Sequence, residues 1–379
     1  QAEAYDGYTQ KRVELGECYP ARLQSMFRAA ALYVGPAGLA PQFGDNDSGR
    51  ALPLCERASL DHGYLLPLGA ALFLDPELKR EGAGYCDEAL FLMGPAGLER
   101  FGQVAVSGLQ RSASLPRAGL YVLRSGRSYC AVSCGPNGQA GVGGHGHNDK
   151  LGLEIHHGGQ PLVVDAGSPC YTSDPRLRNL YRSTAAHSTL QVDGEEQSRL
   201  PGTRLFALPE TARARMVCFE STPLRERFAG EHRGYERLPA PVVHRREVVF
   251  DRAVQGFLVL DRLTGSGVHV ATVRFQFPDA QARVRAASPA ERERFARLVD
   301  ADELNLERLF ELGPPQRPVA LLAASARGRV ELRRFLYSPG YGERQEARRV
   351  ELRVEAELPL ELAAAILLLP EAGGEGEQR

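Results

Sequence analysis

The chain has 379 residues, 43% hydrophobic and 25% charged, with a formal net charge of −1. This is an ordinary globular composition, long enough for two domains, and it gives no overall reason to expect nucleic acid or an anionic membrane as partner. Of 46 basic residues only Lys11, Lys79 and Lys150 are lysine. The arginine bias suits carboxylate and sulfate recognition, but a GC-rich genome produces it as well. Seven cysteines, an odd number in a chain this long, do not make a disulfide framework. Cys130 and Cys134 therefore read as buried thiols or at most one bridge. No run of 18 apolar residues occurs, so no membrane span is expected. The chain starts at Gln1 without a secretory signal, and the compartment is not readable from that end.

Residues 1–115 are expected to be helical. Val13, Leu15, Leu23, Met26, Phe27 and Ala30 fall near helical spacing, broken by Gly16 and Pro20. Phe43-Gly-Asp-Asn-Asp-Ser-Gly-Arg50 is a polar turn, with Asp47 or Ser48 as a cap for a following helix. Helical pattern resumes over Leu52 to Leu74 and again from Asp87 to Leu92. Near Pro116 the pattern changes to strands. Residues 119–124 and 128–133 flank a Ser-Gly-Arg turn, and 151–157 and 160–165 flank Gly158-Gly159, a strong hairpin signal. A further hairpin is expected over 244–250 and 256–261, with strands at 270–277, 319–323, 330–337, 350–355 and 365–369. Residues 289–312 read as a charged excursion, and 371–379 as a flexible tail. Helices with short connections followed by many strands imply an α+β multidomain chain with an antiparallel β-sandwich over 116–370.

Chemistry-bearing residues gather in Gly143-Gly-His-Gly-His-Asn-Asp149. Residues two apart in an extended strand face the same way, so His145 and His147 would share one site. A histidine pair alone is more often a solvated or hydrogen-bonded strand entry than a metal site. Asp165 changes that, because the strand it ends returns from Gly158-Gly159 toward the start of its partner, near His147. His187, in Arg182-Ser-Thr-Ala-Ala-His187, needs only a loop to arrive there. Two histidines and a carboxylate make a zinc shell with a fourth position left for water or substrate. Asn148 and Asp149 would support it or form the turn. The glycine-rich run is not a phosphate loop, since no Gly-Lys-Ser/Thr follows. A Ser183, His187, Asp165 hydrolase lacks the Gly-x-Ser-x-Gly elbow. His232-Arg-Gly-Tyr235 mixes cationic and aromatic groups suited to a sugar or a carboxylate, or is simply a turn into a strand.

Taken in order, Gly44-Asp-Asn-Asp-Ser-Gly-Arg50, Gly144-His-Gly-His-Asn-Asp149, Val164-Asp-Ala-Gly167, Arg182-Ser-Thr-Ala-Ala-His187-Ser-Thr-Leu-Gln-Val-Asp-Gly194, His232-Arg-Gly-Tyr235 and Ser338-Pro-Gly-Tyr-Gly342 resemble the heparinase II/III-type polysaccharide lyases. The resemblance implies the end of an incomplete (α/α) toroid over 1–115, followed by the sandwich. It implies Zn2+ on His147, Asp165 and His187, shaping the site rather than performing the elimination, and it places His145 in the cleft between the domains. Glu3-Ala-Tyr-Asp-Gly-Tyr8-Thr9 is similar to the family's catalytic tyrosine segment, with Thr9 where a histidine is usual. Tyr8 and His145 are then the acid/base pair, and Arg182, His232 and Tyr235 the candidate substrate contacts.

The implied activity is β-elimination on a uronate-containing, acidic polysaccharide, by a periplasmic or secreted protein. Such lyases carry a long toroid before the tyrosine, so a missing N-terminal toroid or a homo-oligomer would complete the cleft, and the isolated chain could be inactive. The alternatives are a non-catalytic carbohydrate-binding or polysaccharide-assembly module that keeps the zinc site, and a metal-assisted hydrolase.

Overall fold

The computed structural model describes residues 3–5, 12–14, 16–47, 49–107, 111–279, 281–314 and 316–370. Tyr8, Ser48 and the tail over 371–379 lie outside the described residues. The chain divides into two compact units, one of Gln1–Ala40, Arg50–Arg57 and Asp61–Gln110, the other of Pro41–Gly49, Ala58–Leu60 and Arg111–Arg379.

The first unit holds the helices Cys18–Tyr33, Leu65–Phe73 and Asp87–Gln103, and a two-stranded pairing of Glu3–Tyr5 with Arg12–Glu14. Ala30, Val34, Leu66, Ala70, Leu78 and Phe101 form its small core. Arg57 ties the unit together by bonding both Asp61 and Glu88. Helix is scarcer than the apolar spacing suggests. The expected helix over Leu52–Leu74 shrinks to Leu65–Phe73, and among the described residues no helix lies between Asp47 and Leu65. Pro53 denies the upstream stretch a helical hydrogen bond, and the Asp61 carboxylate accepts from Gly63 N (3.0 Å) to make a turn instead.

Among the described residues the second unit holds three antiparallel sheets of eight, five and four strands. Tyr121 and Leu123 of the five-stranded sheet, Phe228, Phe250 and Phe257 of the eight-stranded sheet, and Val273 and Phe275 of the four-stranded sheet share one buried core. That shared core makes the unit a layered sandwich. Strand Val242–Asp251 shows the logic, since Val242, His244, Arg246, Val248 and Phe250 are buried in strict alternation. The hairpin of Leu153–His157 and Gln160–Val163 turns at Gly158 and Gly159, whose φ angles of 59° and 80° suit the twist of the strands it joins. The hairpin expected over 244–250 and 256–261 is present as the longer pair Val242–Asp251 and Gly256–Gly265, with the Asp251 carboxylate accepting from Ala253 N and Val254 N at its turn. Two strands went unforeseen beside it, Arg215–Ser221 and Arg225–His232. The excursion over 289–312 contains the capped helix Pro289–Ala296 and ends in strand Leu309–Leu312.

Candidate metal centre

His147, Asp165 and His187 come together as the spacing suggested. One candidate ligand atom from each lies within 4.8 Å of the others, and all three side chains are buried. Asp165 sits just past strand Gln160–Val163, and its Oδ1 accepts from Gly167 N (3.0 Å). Gly167 has φ +82°, and a Cβ there would lie 2.1 Å from the Ser338 carbonyl, so glycine is required for the turn that holds Asp165. His187 follows the short helical turn Thr184–Ala186 and faces Asp165 Oδ2 across 2.6 Å through Nδ1. Burial opposes a charge on His187, but the adjacent Asp165 carboxylate outweighs it and raises the ring's pKa.

His145 and His147 do not lie on a strand. They occupy a loop, and both face the carboxylate of Asp45 rather than sharing a pleat. Asp45 Oδ2 lies 3.1 Å from His145 Nδ1, and Oδ1 lies 3.0 Å from His147 Nε2. Arg178 donates to both oxygens, at 2.8 and 2.6 Å, and Ser168 Oγ to Oδ1 at 3.0 Å. Burial opposes the Asp45 charge, yet the bonds from His147 and Arg178 outweigh it and hold the carboxyl well below the usual carboxylate range. Gly44 permits this approach, because a Cβ there would lie 2.5 Å from the His145 carbonyl, to which Asp45 N donates at 3.1 Å.

Sequence reading passed over Asp45 in the polar turn and Arg178 altogether. The only signal for Asp45 was its place in the word Gly44-Asp-Asn-Asp-Ser-Gly-Arg50, where Asp47 and Ser48 drew attention as caps. Asn148 does support the loop: its Nδ2 donates to Glu196 Oε2 (2.8 Å) and the Ser198 carbonyl (2.8 Å), while Glu196 also accepts from Thr184 ahead of His187.

The residues fit a bound metal. An ionised Asp45 only accepts, so His147 Nε2 carries the proton and Nδ1 a lone pair. His147 Nδ1 and His187 Nε2 are both buried with no hydrogen-bond partner among the described residues. Two orphaned imidazole nitrogens beside a buried carboxylate are what a divalent cation would satisfy. His145, by contrast, has a side chain 57% exposed.

The expected substrate contacts lie elsewhere in character. Arg182 is fully buried and donates to Asn179 Oδ1 and to the carbonyls of Arg204, Leu205 and Ala207, bracing the loop before His187. His232 and Tyr235 are also fully buried; the tyrosine hydroxyl donates to the Leu190 carbonyl (3.1 Å), and His232 Nε2 bonds His244 (3.0 Å). With no exposed surface, all three are packing groups in this structure, and sugar contact by them has no support in the geometry.

No curated protein matches the chain. Among solved structures, a heparinase III with methylated lysines superposes with a TM-score of 0.65 at 16% identity, over 95% of this chain and 48% of its own. A mutant of the heparan sulfate lyase HepC from Pedobacter heparinus gives 0.64 at 17% identity, over 94% and 48%. A further heparinase III crystal structure gives 0.61 at 17% identity, over 94% and 49%. At such identities the likeness is one of fold, and this chain spans about half the length of those proteins. The model of the heparinase II/III-like C-terminal family matches residues 107–368, most of the chain. The fold, the three-residue centre and this match agree with the resemblance of the motifs, and the chain belongs to the heparinase II/III-like C-terminal family.

Proposed function

We propose that this chain is part of a polysaccharide lyase that cleaves a uronate-containing, acidic polysaccharide by β-elimination. The observation that carries the reading is the pairing of an exposed His145 with a buried His147–Asp165–His187 centre, both hung on one carboxylate. The helical unit is read as the last part of an (α/α) toroid, with Tyr8 the acid/base that faces the sugar. The substrate class is that of the heparan sulfate in the name of the Pedobacter enzyme, and a periplasmic or secreted location accompanies it. No helix among the described residues is long and apolar enough to cross a membrane.

In the reaction, His145 takes the proton from the carbon next to the uronate carboxylate. The electron pair released forms a carbon–carbon double bond, and the glycosidic carbon–oxygen bond breaks. Tyr8 donates a proton to the departing oxygen. That carbon acid is weak, so a base works only when correctly placed and presented in neutral form. His145 meets the first need by being tied through Nδ1, which leaves Nε2 as the basic nitrogen. Zinc held by His147, Asp165 and His187 would supply a fixed positive charge and a rigid cross-link between three loops, rather than a reacting group.

The test is incubation of the protein with a panel of uronate polymers, read by the ultraviolet absorbance of the unsaturated product. A rise that disappears in Tyr8→Phe and His145→Ala, with bound zinc unchanged, supports the reading. New reducing ends without absorbance would mean hydrolysis and overturn it. Retention of polymer with neither signal would identify a carbohydrate-binding module.

A further inference from the structure

We propose that Asp45 is a positioning residue that sets the proton positions of His145 and His147 together, and so couples the metal centre to the exposed base. The assignment rests on the lyase reading for the work of His145, and on the three-residue centre for that of His147.

The argument begins with the carboxylate itself. Asp45 has no exposed side-chain surface, and its two oxygens meet four donor groups: Arg178, Ser168 and the two imidazoles. A bidentate guanidinium fixes the plane of a carboxylate as well as its charge. Arg178 is itself held rigidly. Its Nε donates to the Leu205 carbonyl (3.0 Å), and its guanidinium lies 4.8 Å from the Tyr171 ring centroid and 4.4 Å from that of Phe206. The same two rings flank His145, with centroids 6.4 and 6.0 Å away. The carboxylate is therefore preorganised before either histidine acts.

Each histidine must donate to that anion, and it does so through a different nitrogen. His147 uses Nε2, which turns the Nδ1 lone pair into the buried centre, where that atom has no hydrogen-bond partner among the described residues. His145 uses Nδ1, which leaves the Nε2 lone pair on an exposed ring. A carboxylate that orients a metal-binding histidine through its second nitrogen changes metal affinity about 10–100-fold. Here the same group also orients the proposed base, so one substitution should disturb both functions.

The experiment uses nitrogen-15-labelled protein, with and without one equivalent of zinc, and reads the histidine ring nitrogens by NMR. In the unsubstituted protein the account requires His147 protonated at Nε2 and neutral His145 protonated at Nδ1. The opposite tautomer at either ring overturns the assignment, and this reading needs no variant to fold. In Asp45→Asn, zinc affinity measured by competition with a chromophoric chelator should fall about 10–100-fold, and His145 should lose its tautomer preference. Asp45→Glu should restore part of both. Zinc affinity within twofold of the parent, with both tautomers unchanged, overturns the proposal. Failure of the lyase reading appears separately, as absence of elimination by the unsubstituted protein while the zinc and tautomer effects persist.

Discussion

Replacing Asp261 by alanine should damage this protein far from any exposed surface. Asp261 lies opposite Arg246 on the neighbouring strand and accepts from its Nε and Nη2, both at 2.8 Å. It also accepts from His244 Nε2 at 2.7 Å, and His244 bonds His232 on the next strand. Arg246, His244 and His232 have no exposed surface. Removing the carboxylate strands a guanidinium in the core, a loss of about 3–5 kcal/mol. That is a large share of the stability of a typical domain. Arg246 Nη1 also donates to the carbonyls of Leu151 (2.9 Å) and Ser188 (2.7 Å), which follow the loops bearing His147 and His187. Asp261→Ala should therefore weaken zinc retention as well. The double variant Asp261→Ala, Arg246→Met should recover only part of the stability, because those two carbonyls lose their donor at about 1–3 kcal/mol each. The chain has no tryptophan, so urea unfolding is best followed by far-ultraviolet circular dichroism. A loss under about 1 kcal/mol for Asp261→Ala, well short of the cost of breaking a buried pair, would refute the reasoning.

Other expectations are narrower. Burial, aided by Arg124, pushes the His156 pKa down to about 4 from its ordinary 6.5, and neighbouring Glu154 is pushed up to about 8 by burial and by Asp165. A histidine that stays neutral in the fold but gains a proton when unfolded contributes stability above pH 6.5 that is lost as pH falls toward 4. His156→Asn should thus lose about 2–3 kcal/mol less than the parent between pH 7 and about 4.5, at about 1.4 kcal/mol per unit; equal losses would count against it. Gly167→Ala meets both a positive φ and the Ser338 carbonyl, and should lower the melting temperature and zinc retention together; an unchanged melting temperature would contradict the required turn. All seven cysteines are free, so thiol titration of unreduced, unfolded protein should count seven, while buried Cys130 and Cys134 stay silent in the folded state.

Much of the sandwich was legible because its signals are local. Gly158-Gly159 and the run from Asp251 to Gln255 announce hairpins by turn chemistry, and the flanking apolar residues set the register. Arg225–His232 was not legible, because Glu226 and His232 occupy buried positions that a polarity pattern assigns to solvent, and the alternation is broken where the register shifts between Ala229 and Gly230. Arg252 and Ser221 Oγ both bond Glu226 Oε1, and His244 bonds His232. No single strand carries those partners. The three candidate ligands were readable since one hairpin end and two loops bring them together. Asp45 was not, since its histidine partners come about a hundred residues later. Arg182 and His232 looked like substrate contacts because residue type carries no information about burial. Over residues 52–64 the apolar spacing misled, as Pro53 and the Asp61 turn outweigh it.

The central claim is that His147, Asp165 and His187 hold a metal that fixes the loop presenting His145. Elemental analysis of the purified chain, loaded with zinc and exhaustively dialysed, tests it most directly. The account predicts close to one zinc per chain, a melting temperature that falls on chelation, and loss of both in His147→Ala and His187→Ala. Folded protein that retains no metal, with a melting temperature indifferent to zinc and chelator, would contradict it.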